Sequence, residues 1–87
     1  MGNPSNRGEV LKKLRRYVIT KPVKCAISGD DWHRSNNDRE LSVDTVLVYF
    51  VSRGTYKVFL VGTGPWKGSY AFVHPNTIRA GSLEEMG

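Results

Sequence analysis

Apolar positions along the chain concentrate between residues 43 and 73. Val46-Leu47-Val48-Tyr49-Phe50-Val51 and Tyr56-Lys57-Val58-Phe59-Leu60-Val61 are rich in β-branched and aromatic side chains, the composition that suits a pleated surface. Ser52-Arg53-Gly54-Thr55 between them is a turn signal. A three-residue loop, Ser52-Arg53-Gly54, needs a left-handed backbone only at the glycine and is preferred on that ground. It pairs Phe50 with Tyr56, Val48 with Val58 and Val46 with Leu60 on an apolar core face. Tyr49–Lys57 and Leu47–Phe59 then form a mixed second face.

The flanks read more weakly. Residues 1–5 are expected to be a disordered lead. Asn6 and Glu9 have capping-box spacing and open a predicted basic helix over 6–17, with Val10, Leu11, Leu14 and Val18 on one side. Pro22 ends it. Val23-Lys24-Cys25-Ala26-Ile27 is a first, edge-like strand. Residues 28–42 are a long polar loop, and loops of that length tend to be functional or mobile. A Gly-rich connection over 62–68 leads to a strand at Ser69-Tyr70-Ala71-Phe72-Val73. A helical turn at Pro75-Asn76-Thr77-Ile78 and a short strand over 78–80 complete a core at 22–80, and 81–87 is a flexible tail. The whole of 1–87 is one domain.

The run Tyr70-Ala71-Phe72-Val73-His74-Pro75-Asn76-Thr77-Ile78, with the element order before it, resembles the Src-homology-3-like small β-barrel. In that family a hydrophobic residue, a proline, a polar pair and another hydrophobic recur at this place. The resemblance implies a mainly β, small antiparallel barrel of four to five strands, here with one short N-terminal basic helix. The aromatic-rich opening motif of the peptide-binding members is missing, so the likeness concerns architecture.

Composition changes the functional picture at one point. Net charge is +5, but residues 1–24 hold seven Lys and Arg against Glu9 alone, while the remainder is slightly acidic. An electrostatic partner is therefore sought at the N-terminal segment. The leading expectation is non-catalytic nucleic-acid binding, DNA or RNA, with Lys12, Lys13, Arg15, Arg16, Lys21 and Lys24 on phosphates and Lys57, Trp66 and Lys67 extending the surface. The alternative is a protein-interaction or inhibitor-type module gripping a partner protein through Trp32, Tyr49, Phe59 and Trp66. The edge beside Val46–Val51 needs a cover, supplied by the helix, a partner or a homodimer.

Other chemistry is less well supported. Asp30 and Asp31 are adjacent rather than alternate, which does not make a metal loop. His33 and His74 would have to act together as base and acid for a metal-free ribonuclease, and no local motif joins them. Gly62, Gly64 and Gly68 are not followed by the Lys-Ser/Thr of a phosphate loop. No cofactor is expected. The longest apolar run is six residues, too short for a membrane span, and no signal-peptide pattern opens the chain. The single cysteine, Cys25, reads as a small buried apolar residue and suits a reducing, cytoplasmic setting.

Overall fold

The computed structural model describes residues 15–33, 35 and 37–86. Among these residues seven strands run β1 (Arg16–Ile19), β2 (Val23–Ser28), β3 (Asp38–Leu41), β4 (Val46–Arg53), β5 (Tyr56–Val61), β6 (Tyr70–Val73) and β7 (Leu83–Glu85), and one short helix, α1 (Pro75–Arg79), precedes β7. All pairings are antiparallel, and the strands form one open sheet in the order β3-β2-β6-β5-β4-β1-β7.

Alternation along the strands sorts side chains onto two faces. One face carries Ile19, Val23, Cys25, Ile27, Leu41, Leu47, Phe59, Val61, Ala71, Val73 and Leu83, a single buried cluster. Leu41 comes from one end of the sheet and Leu83 from the other. The sheet therefore curls, and this concave face is the main core. The convex face holds a smaller cluster, Ala26, Val58 and Phe72, with Val51, Tyr56 and Tyr70 packed against it.

The hairpin register differs from the sequence expectation. Arg53 pairs with Tyr56, Ser52 with Lys57 and Val51 with Val58, so the loop is Gly54-Thr55 with Gly54 at φ 58°. A glycine at the first of two central positions suits a loop with a left-handed residue there alone, and its twist matches that of the strands. The register then shifts between Tyr49 and Val51, and Tyr49 pairs with Phe59, Val48 with Leu60 and Leu47 with Val61. Phe50 is the extra residue of a β-bulge. The face assignment consequently inverts: Leu47 and Phe59 are core, whereas Phe50 is 53% exposed. The bulge also brings Val51 to the convex side, where it packs on the Val58 cluster.

Other expectations shift as well. Arg16 and Tyr17, assigned to the end of the basic helix, lie in β1, Arg15 before them is not helical, and residues 6–14 of that expected helix fall outside the described residues. β1 itself covers the β4 edge, pairing Arg16 with Val48 and Val18 with Val46. The segment over 28–42 is not all loop, because Asp38–Leu41 pairs with Val23–Ala26 as β3. The expected tail contains β7, tied to β1 through Leu83 opposite Ile19 and through Met86 N–H donating to the Arg16 carbonyl at 2.8 Å. The helical turn at Pro75 is present as α1, whose amide at Asn76 donates to His74 Nδ1. It replaces the strand expected over 78–80. The edge strands carry Asp38, Arg39, Glu40, Glu84 and Glu85, all exposed, which discourages pairing with another chain.

Candidate binding face

The convex face presents one continuous row across five strands. Arg16 sits opposite Val48, Val48 opposite Leu60, Leu60 opposite Tyr70, and Tyr70 opposite Ser28. Because Phe50 is displaced by the bulge, its ring projects beside this row and meets Tyr70 at 5.5 Å between centroids, tilted by 51°. The result is an exposed Phe50 ring on a half-buried Tyr70, flanked by half-buried aliphatic side chains, with an exposed arginine at one end. A large exposed aromatic on a sheet face contributes little to folding and is available for stacking.

A second feature borders the row. Asp30 Oδ1 accepts the backbone N–H of Trp32 at 2.8 Å and of His33 at 2.7 Å, an Asx-type turn. These bonds, His33 first and Trp32 second, hold the Asp30 carboxyl below its ordinary range. Arg53, at the end of β4, reaches this turn. Its Nη2 donates to Asp31 Oδ2 at 2.7 Å, its Nε donates to the Asp31 carbonyl at 3.2 Å, and its guanidinium lies 3.9 Å over the Trp32 ring. Trp32 stays 68% exposed.

Two residues further along β5 and β6, a recess of about 170 Å³ opens on the same face. Tyr56, Phe72, His74, Lys24, Asp38 and Ala26 line it. Tyr56 and His74 meet edge to face at 5.8 Å. Cys25 also borders it, but burial first and the Asp38 charge second push its thiol up to about 12, so it remains a neutral, inert group.

The residues expected to contact nucleic acid are divided by this geometry. Lys12 and Lys13 lie outside the described residues. Arg15 and Arg16 are exposed at β1, Lys21 is exposed in the β1–β2 connection and Lys24 is exposed on β2. Arg16 and Lys24 share the convex face. Lys57 belongs to the other side, its Nζ 5.5 Å over the Tyr49 ring. Trp66 is half-buried against the concave core beneath Arg39, at 5.5 Å, and Lys67 beside it is exposed.

Of the residues expected to grip a protein, Phe59 requires correction. It is 1% exposed, the largest fully buried side chain among the described residues, with Tyr17 and Tyr49 packed edge-on against it. Tyr49 is half-buried and shares a hydrogen bond with Ser52. Trp32 alone of that set is largely exposed. Sequence reasoning missed Phe50 because the three-residue-loop register put it in the core, and it read Tyr70 as part of a strand without assigning it a face. Reading Gly54-Thr55 as a two-residue loop corrects the register next to the turn, but the bulge that turns Phe50 outward lies further along the strand.

His33 and His74 have separate surroundings, the first near Asp30 at 3.6 Å and the second at the start of α1 against Tyr56. Arg34, which follows His33, is outside the described residues. Among the described residues no cluster of His, Cys, Asp and Glu could hold a metal ion, and no helix is long and apolar enough to cross a membrane. No protein-family model matches the chain, and neither a curated protein nor a solved structure matches it.

Proposed function

We propose that this chain is a non-catalytic module that binds single-stranded nucleic acid on the convex face of a Src-homology-3-like small barrel. The observation that carries the reading is the exposed Phe50 ring against Tyr70, in a row that ends at Arg16. Bases stack on exposed aromatic rings regardless of sequence, while cationic side chains beside them hold the backbone. The architecture is supported by the order β7-β1-β4-β5-β6 with a helical turn before the last strand, and by the core shared between Leu41 and Leu83. Exposed Arg15 and Arg16 add positive charge at the β1 end of the row, and exposed Lys24 adds it on β2, toward the other end.

Fluorescence-anisotropy titration of short labelled single strands, DNA and RNA, at two salt concentrations tests the reading. Micromolar or tighter binding that weakens steeply with salt is expected. Phe50→Ala should weaken it about tenfold, the order of one lost base stack, and Arg16→Glu should flatten the salt dependence. Absence of binding at low salt overturns the proposal. A second reading, docking of a partner protein, is favoured by Trp32, which is 68% exposed on a guanidinium support. Under that reading Trp32→Ala abolishes capture of the partner and Phe50→Ala does not.

A further inference from the structure

The recess beside the aromatic row has the chemistry of a site for one particular base, and we propose that it takes a guanine of the strand bound at Phe50 and Tyr70. This rests on the reading of the convex face given above. Tyr70 and Phe72 are alternate residues of β6 and point to the same side, so the row and the recess are about 7 Å apart along the strand. That spacing lets neighbouring nucleotides occupy the platform and the recess together, as alternate aromatics on other sheet faces hold successive bases.

The walls suit a flat heterocycle. Phe72, at 3% exposure, is a floor, and Tyr56 and His74 stand edge to face beside it. A volume of about 170 Å³ has room for a base, with the sugar and phosphate left outside.

The polar rim selects among the bases. Asp38 stands opposite Ala26 on the exposed edge strand, and Lys24 lies diagonal to it on the same face of β2. No ion pair of Asp38 occurs among the described residues. A carboxylate offers two parallel acceptors. Guanine presents two adjacent donors, N1–H and the N2 amino group, with the O6 acceptor next to them for an ammonium such as that of Lys24. Uracil places acceptors on both sides of one N–H, and adenine and cytosine each place an acceptor beside a single amino group. Each of these sets a lone pair against Asp38.

The test uses oligouridine strands of equal length, one all uridine, one with a single central guanosine and one with inosine there, titrated by anisotropy. Guanosine should tighten binding about tenfold or more, the scale of one bidentate base contact, and inosine, which lacks the N2 amino group, should recover only part of that gain. Asp38→Asn, at an exposed edge position, replaces one acceptor with a donor and should remove the guanosine gain, so that the guanosine strand binds no tighter than oligouridine. Phe50→Ala should weaken all three strands alike. Equal binding of the three strands by the unaltered protein overturns the guanine site and leaves the convex-face reading standing. Failure to bind any of them overturns both.

Discussion

The Arg53 guanidinium lies over the Trp32 ring at 3.9 Å while donating two hydrogen bonds to Asp31, so one side chain pins the 29–33 turn to the end of β4. Both partners of the ion pair are largely shielded, with side-chain exposures of 29% for Arg53 and 17% for Asp31. The contact exists because the bulge at Phe50 shifts the following residues by one position. In an unbulged strand Arg53 would share the concave face with Leu47 and Tyr49.

Arg53→Lys keeps the charge but loses the guanidinium over the Trp32 ring and the paired donors. It is expected to cost about 1 kcal/mol or less, since the pair is partly solvated. Amide exchange over 29–33 should accelerate while the β5 and β6 amides stay protected. Unchanged exchange in that turn would show that Arg53 does not hold it.

Phe50 and Phe59 are neighbours in the hairpin with opposite fates. Phe59→Ala empties a fully buried site and should cost about 3–5 kcal/mol, enough to unfold much of a domain this small. Phe50→Ala should cost under about 1 kcal/mol. Urea denaturation of the two variants reads the face assignment directly, and equal losses would contradict the bulged register.

Among the described residues a left-handed backbone occurs at Gly54, Gly64, Gly68 and Gly81 and, without a glycine, at Asp44. An added Cβ at Gly54 meets nothing within 4 Å, so the effect of Gly54→Ala is purely conformational, at φ 58°. It should destabilise by about 1–2 kcal/mol. Asp44 adopts φ 74° in the turn closed by Thr45 N–H donating to the Ser42 carbonyl at 3.2 Å. Asp44→Gly should raise stability by about 0.5–1 kcal/mol, seen as a Tm several degrees higher.

The Asp30 carboxyl should titrate below the ordinary aspartate value, because the His33 and Trp32 amides donate to its charged form. A depressed folded-state pKa contributes stability above the unfolded-state value, and that contribution is lost as the pH falls through the folded-state value. NMR titration of the carboxyl should place its midpoint below that of an aspartate peptide. In Asp30→Ala the acid limb of the stability curve should be shallower, and an identical limb would remove the turn from the account.

Much of the fold was legible because local chemistry decides it. Val46–Val51, Tyr56–Val61 and Tyr70–Val73 read as strands from β-branched and aromatic content, and Pro75 marked a helix start through its fixed backbone angle. β1 and β7 were not legible. Arg16–Ile19 continues a basic, helix-spaced pattern, and Leu83–Glu85 has one apolar residue. β1 becomes a strand because β4 and β7 supply hydrogen-bond partners far away in sequence, and β7 becomes one because β1 does.

The amino-acid sequence by itself determined that this is a mainly β domain with its basic charge toward the N-terminal end and a single thiol. The tertiary structure decided which side of the hairpin is core. Alternation assigns residues to two faces without saying which is buried, and a one-residue bulge exchanges the faces partway along a strand. That exchange puts Phe59 inside and Phe50 outside, and with them the binding face, through contacts between strands that no local pattern encodes.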